Sequence, residues 1–408
     1  MRTFISFEEA QQIVLGESRV LASETCALSD ALGRTLSQRL VSSENVPPFA
    51  SSAMDGFAVR LGEDSPHAHP PFRMVEHIAA GMMPQETIVP GTCSRIMTGA
   101  PIPSGANTIV PREHALENGG WVTFSSPITI GKHIRPAGED IRAGEEVFSA
   151  GTLITPPVVG MLATLGCHSP AVVRRPLVAI ISSGNEIVAP DQTPGPSQIR
   201  NSNGPSLRAQ VLSEGGICDS YDHAADAPSD IRAAIQKNSG ADLILFSGGV
   251  SVGDHDFVKQ VLDDMGFEPL FWKVKQRPGK PLVFGKLGSA LVLGLPGNPV
   301  STAMCFAMYA RPLIRRFLGR TPIAPLTKAF LAEDVQKVKD LHYFSRAVAS
   351  QDADGRYSVS MKGPQGSNLY GSVVRANCIL HLPAGEESLT QGSVVFIERL
   401  PWSDLHLS

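Results

Sequence analysis

The stretch 242–266, DLILFSGGVSVGDHDFVKQVLDDMG, constrains this chain more than any other. Asp242 to Phe246 is a short apolar run suited to a buried parallel strand, and Phe257, Val261, Leu262 and Met265 recur at helical spacing. The glycines therefore fall on a strand-to-helix turn. Ser247, Gly248, Gly249, Ser251 and Gly253 strip that turn of bulk, so backbone N–H groups can approach an anion at the positive end of the following helix. Asp254 and Asp256 follow, where an anion site tolerates negative charge only if a cation mediates. They read either as Mg²⁺ ligands facing a phosphate or as helix-start acids favoured by the dipole, and the glycine cluster tips Asp256 toward the first.

The same alternation extends on both sides. Strands at 177–182, 217–221 and 243–246 alternate with helices at 206–214, 229–236 and 257–265, which is the pattern of a parallel sheet covered on both faces. It continues through 282–284 and 290–295, after which Asn298 and Pro299 open a helix ending near Gly319. Ligands of such sheets bind at the carboxyl ends of the strands, where the loops 183–186, 222–226, 247–256 and 295–299 gather.

At 408 residues the chain is too long for one ordinary core. Residues 1 to about 45 read as an elongated helical piece, with Ser6 and Glu9 as a capping box and Leu28, Ala31, Leu32 and Leu36 prolonging the apolar pattern. From Pro47-Pro48 to about 142, Gly and Pro punctuate short strands at 72–78, 94–97, 108–111 and 122–124. A helix at 158–165 that packs back on the N-terminal piece would make this β-rich part an insertion. After Pro322, strands at 329–332, 342–349, 356–361, 378–382 and 393–398 suit a small β-barrel. The expected division is 1–46 with 143–173 as a discontinuous N-terminal domain, 47–142 as a β-rich insertion, 174–320 as a three-layer α/β domain with a parallel-rich sheet, and 321–408 as the barrel.

A net charge of −4 without a basic run argues against nucleic acid, whose phosphates demand clustered Lys and Arg. No apolar run approaches the length of a membrane span, and the N-terminus lacks the basic-then-apolar order of a signal peptide, so the expected location is cytoplasmic. Six cysteines without a C-x-x-C pair are poor zinc ligands, and eleven histidines show no ligand spacing. No Ser-His-Asp nucleophile elbow is present. Lys273, Lys275, Arg277 and Lys280 surround the Pro278-Gly279 turn and suit charge neutralisation on a transferring phosphoryl group; alone they would be a solvated hairpin tip. Leu295-Pro296-Gly297-Asn298-Pro299 is a rigid turn at a helix start. Asp55 in Met54-Asp55-Gly56, Thr98 and Asp140 are satisfied equally by turn geometry.

Taken together, PPFASSAMDGFAVR, RIMTGAPIPSGANTIV, GEDIRAG, ISSGNEI, FSGGVSVGDHDF, RPGKP and GLPGNPVS, in this order and spacing, resemble the molybdopterin molybdenumtransferases, the family of the gephyrin E domain. The resemblance covers essentially the whole chain. It implies insertion of molybdenum from molybdate into the dithiolene of adenylylated molybdopterin, with Mg²⁺-dependent hydrolysis of the pyrophosphate link and release of AMP. It places the functional acids on Asp55, Asp140, Glu186, Asp226 and Asp256, with Thr98 beside Asp55, and the metal on Asp256 and Glu186. The phosphate-facing cations become Lys273, Arg277 and Lys280, and Pro296, Pro299 and Ser301 lie in the GLPGNPVS motif. Molybdate would draw on Arg277, Lys280, Ser301, Arg346 and Ser367. Arg277 stands where many relatives have lysine, a planar fork in place of a point charge. The resemblance also implies an elongated homodimer with its site at the subunit junction. The alternative is a non-catalytic scaffold or peptide-binding protein of gephyrin type, which would not need the acidic set.

Overall fold

The structure is a computed structural model and describes residues 1–62, 71–125, 127–249, 257–361 and 363–401. The chain forms two compact units, one of residues 1–25, 33–37 and 171 onward, the other of residues 26–32 and 38–170.

In the first unit, the strands β1 (Arg2–Ile5), β2 (Val178–Ser183), β3 (Asp222–Ala224), β4 (Leu243–Ser247), β5 (Glu268–Val274), β6 (Val283–Leu287) and β7 (Ala290–Leu295) form one sheet in the order β1-β5-β6-β7-β4-β2-β3. The helices are α1 (Phe7–Gly16), α2 (Asn203–Ser213), α3 (Pro228–Lys237), α4 (Phe257–Asp264) and α5 (Pro299–Cys305). Along β4 the pleat sends Leu243 and Leu245 into a core with α1, α2 and α5, and Ile244 and Phe246 into a second core with α3 and α4. Both faces are therefore buried, which is why Leu243 to Phe246 are all apolar rather than alternating.

β7, β4, β2 and β3 run parallel, as expected, but β6 is antiparallel to both neighbours. Only Gly288 and Ser289 separate β6 from β7, and a two-residue connection can join only antiparallel strands. The strand expected at 217–221 lies instead at 222–224; of the earlier stretch, Ile217 makes a single bridge to Leu177.

The helix after Pro299 changes pitch, with the π-helical segment Phe306–Ala310 before α6 (Arg311–Phe317). Pro312 has no N–H to give Met308 and crowds its carbonyl. The released Met308 oxygen accepts from Gln11 Nε2 at 3.4 Å.

The N-terminal 45 residues keep only α1 as an α-helix. Ser6 Oγ accepts the Glu9 N–H at 3.1 Å, but the Glu9 carboxylate turns to Arg2 at 2.6 Å, so half of the capping box forms. Leu28–Asp30 is a single 3-10 turn, and Leu32, expected on an apolar helix face, is exposed. Ser23–Thr25 pairs instead with Ala171–Val173.

Also in this unit, strands Thr327–Leu331, His342–Gln351, Tyr357–Ser360, Cys378–Leu382 and Val394–Arg399 close into a barrel, His342–Gln351 pairing with both Tyr357–Ser360 and Cys378–Leu382. Gln276–Arg277 runs parallel to His342–Tyr343, which fastens the cationic turn to the barrel. The second unit carries a six-stranded sheet, in the order 108–111, 56–59, 92–96, 72–78, 121–124 and 115–118, and the helix Pro156–Thr164.

His342 is buried against Phe7, Phe344 and His381, with Nδ1 3.3 Å from Glu8. Burial, then His381, push its pKa down to about 4 against the pull of Glu8. Between about pH 6.5 and 4 the unfolded chain binds a proton that the folded chain refuses, so this residue's contribution to stability is present above 6.5 and lost as the pH falls to 4. We expect His342→Gln to flatten the acid limb of stability against pH by on the order of 2 kcal/mol relative to the parent, read by denaturant titration at each pH. Parallel curves for parent and variant would refute this.

Candidate functional site

β2 leads through α2 to β3 on one side, whereas β3 leads through α3 to β4 on the other side of β2. The crevice between the carboxyl ends of β2 and β4 is thus the topological switch point of the sheet. A cavity of about 640 Å³ opens there, with Ser182, Glu186, Asn203, Asp226, Ser247 and Asn298 among its lining. Its floor is level because Ser182 pairs in register with Ser247, and Ser247 with Leu295.

The turn after β4 is built as expected up to Gly249. Gly248 and Gly249 have φ of +92° and +66°, and a Cβ on Gly249 would stand 2.4 Å from Val258 and 2.6 Å from Ser183 Oγ. A side chain there is refused both by the backbone and by the space. Ser251, Gly253, Asp254 and Asp256 lie outside the described residues.

Glu186 and Asp226 come together on the cavity wall because their loops are locked reciprocally. The Asn185 N–H donates to Asp226 Oδ2 at 3.0 Å, and the Asp226 N–H donates to Asn185 Oδ1 at 3.2 Å. Glu186 is exposed, its carboxylate folded back over Gly184. Among the described residues no three His, Cys, Asp or Glu side chains gather as a metal cluster.

Pro296 and Pro299 also line the cavity, and Thr302 Oγ1 holds their turn by donating to the Pro296 carbonyl at 2.6 Å. Ser367 binds the start of α5 twice, its Oγ accepting from Asn298 Nδ2 at 3.1 Å and its carbonyl from the Val300 N–H at 3.2 Å. Arg346 is buried and holds the same loop, donating from Nε to Ser372 Oγ at 3.0 Å and from Nη2 to the Gly366 carbonyl at 3.2 Å. Burial lowers its pKa to about 10, which leaves it charged at neutral pH. Ser301 is buried in the first turn of α5.

Of the cationic turn, Pro281 reaches the cavity. Lys280 is exposed with its ammonium 4.7 Å from the Phe4 ring centroid, and Arg277 lies 5.8 Å from that of Tyr343. Lys273 is half-buried at φ +64°, its N–H bound to the Leu282 carbonyl at 2.8 Å. In the second unit, Asp55 Oδ1 accepts both the N–H and the hydroxyl of Thr98, each at 2.7 Å, and these bonds hold its carboxyl below the usual range. Asp140 is exposed, and its N–H donates to the Val46 carbonyl at 3.0 Å.

Sequence motifs overlooked Asn203, which joins three walls of the cavity. In the run Asn201-Ser202-Asn203 any member reads as a helix cap. Asn201 takes that role, its Oδ1 accepting the Gly204 N–H at 2.9 Å, which leaves Asn203 for other work.

This α/β unit, with its cavity at the switch point, is that of the proteins that carry a molybdopterin-binding domain: residues 179–316 match the family described as probable molybdopterin binding domain. Residues 5–166 match the MoeA N-terminal region (domain I and II), and residues 328–400 match the MoeA C-terminal region (domain IV). The molybdopterin molybdenumtransferase of Staphylococcus epidermidis is 33% identical over 403 residues, covering 97% of this chain and 95% of its own. That of Bacillus subtilis is 32% identical over 430 residues, covering 100% and 98%. A crystal structure of the molybdopterin biosynthesis moeA protein from Pyrococcus horikoshii, 27% identical, superposes with a TM-score of 0.83 over 97% of this chain and 99% of that one. The chain belongs to the molybdopterin molybdenumtransferase family, enzymes of molybdenum insertion in cofactor biosynthesis. No helix among the described residues is long and apolar enough to cross a membrane.

Proposed function

We propose that the chain inserts molybdenum from molybdate into the dithiolene of adenylylated molybdopterin, with Mg²⁺-dependent hydrolysis of the pyrophosphate link and release of AMP, as a cytoplasmic homodimer. The observation that carries this reading is that Glu186 and Asp226 share one cavity with the Ser247-Gly248-Gly249 turn. Glycine backbone suits phosphate oxygens, and two carboxylates beside it suit a hard cation between protein and phosphate. Glu186 and Asp226 are oxygen donors of the kind Mg²⁺ takes, and Asp256 would join them on sequence grounds. The ion, when bound, would supply charge neutralisation on the pyrophosphate.

The chain's own groups then have distinct tasks. The turns at 247–249 and 296–299 seat the phosphates, and Lys273, Arg277 and Lys280 supply positive charge toward the leaving phosphate and the incoming molybdate. Arg346 keeps Ser367 against the start of α5. Water adds to one phosphorus as the bridging P–O bond breaks, which frees AMP. Two thiols replace one molybdate oxide, which leaves as water with both their protons.

Sulfate has the charge and shape of molybdate, so cations alone discriminate poorly between them. Sulfate is therefore expected to compete for binding without being inserted, and Lys280→Ala to weaken both anions in parallel. The test supplies adenylylated molybdopterin, molybdate and Mg²⁺ to the purified chain. AMP and molybdenum-loaded product should appear together, stop with a chelator, and come from a species sedimenting as a dimer at micromolar concentration. AMP release at full rate without Mg²⁺ would overturn the metal's role, and loss of molybdate but not sulfate binding in Lys280→Ala would show that the pocket itself selects.

A further inference from the structure

Asn203 Nδ2 lies 2.8 Å from Ser247 Oγ and 2.8 Å from the Gly297 carbonyl oxygen. A carbonyl can only accept, so the nitrogen of the amide must face Gly297, and the same nitrogen then gives its second hydrogen to Ser247. Ser247 Oγ is left as an acceptor from Asn203, and its single proton must point elsewhere. Among the described residues no acceptor takes that proton, and Ser247 lines the cavity.

A second observation points the same way. Ser182 stands beside Ser247 in register on the neighbouring parallel strand, so the two side chains leave the same face of the sheet from strands about 4.8 Å apart. Ser182 is 2% exposed, lines the cavity, and its Oγ has no hydrogen-bond partner among the described residues. A buried hydroxyl without a partner is destabilising, and that of Ser182, beside a Ser247 hydroxyl whose proton has no acceptor among the described residues, is accounted for by a ligand that completes both.

We propose that Asn203 is a positioning residue: by donating to both Ser247 and Gly297 it commits the Ser247 hydroxyl to donate into the cavity, toward a phosphate oxygen of the bound pterin nucleotide. The same two bonds hold the start of α2, the end of β4 and the turn after β7 together. This rests on the function proposed above and adds to it a residue that need not touch the substrate.

The test is a double-mutant cycle in ligand binding. Titration calorimetry would measure AMP and adenylylated molybdopterin against the parent, Asn203→Ala, Ser247→Ala and the double variant, with thermal melts confirming that each folds. Either single change should weaken binding about tenfold, and the double variant should fall well short of the roughly hundredfold that independent losses would give, because Asn203 acts in large part through that hydroxyl. Asn203→Asp adds a readout that packing alone would not move. A carboxylate cannot donate to Gly297 and would draw the Ser247 proton to itself. The deficit should shrink in part as the pH falls toward about 5, since a carboxylate facing a carbonyl takes up a proton more readily than a free one and then regains one of the two donations. Additive losses in folded variants, or an Asn203→Asp deficit that ignores pH, would overturn the proposal while leaving the proposed function intact. A parent chain that binds neither compound would remove both.

Discussion

Glu186→Ala is expected to slow AMP release by about a hundredfold or more while leaving the melting temperature unchanged. The two halves of that result have different causes. Glu186 is exposed, so truncating it opens no cavity in the core, and its backbone carbonyl keeps the Ile199 N–H at 2.8 Å. What disappears, on the proposed reading, is a hard oxygen donor on the wall of the cavity that the glycine turn also lines. A metal-mediated contact that strengthens as charge develops on the leaving phosphate acts in the transition state, and its loss falls on kcat. If Glu186 works by holding Mg²⁺, raising the ion's concentration should restore part of the rate, because a weakened site refills by mass action. Glu186→Ala that turns over at the parental rate would exclude it from the chemistry, and a slow variant indifferent to Mg²⁺ would keep the residue but not this role. Asp256→Ala is expected on sequence grounds to slow the reaction by a similar factor.

Most of the first unit was legible because its signals are local. The β4 segment reads as a buried strand from its own apolar run, and its following turn from its own glycines. The closing barrel strand Cys378–Leu382 falls within the expected bounds for the same reason. What failed to show was decided by partners distant in sequence. β1 has an ordinary composition and becomes a strand only by pairing with β5, 269 residues away at Arg2 and Phe271. Leu28 to Leu36 carries a helical spacing, yet Leu36 bridges Val172 and Leu28–Asp30 stays a single 3-10 turn. At the cavity, the acids and glycines stood out by residue type. Asn203 did not, because an asparagine at a helix start already has an ordinary explanation, and only the distances to Ser247 and Gly297 distinguish a clamp from a cap.

The largest loss of stability is expected from Arg311→Met. Arg311, at the start of α6, pairs through Nη2 with Glu398 on the barrel strand Val394–Arg399, and the two side chains are 8% and 9% exposed. Removing one partner strands the other charge in the interior, which costs about 3–5 kcal/mol, far more than the median surface pair. Among the described residues Glu398 would keep only His381, whose Nε2 lies 3.6 Å from its second oxygen. For a unit of this size the loss corresponds to a fall in melting temperature on the order of 10 °C. The decisive comparison is with the double change Arg311→Met with Glu398→Leu. The attraction within a buried pair largely offsets the cost of taking both charges out of water, so an apolar pair of similar volume should recover most of the lost stability. Calorimetric melts of the parent, the single and the double variants distinguish the two accounts. A double variant as unstable as Arg311→Met would mean that the pair contributes net stability of its own, and that burial of the lone carboxylate is not what the single change exposes.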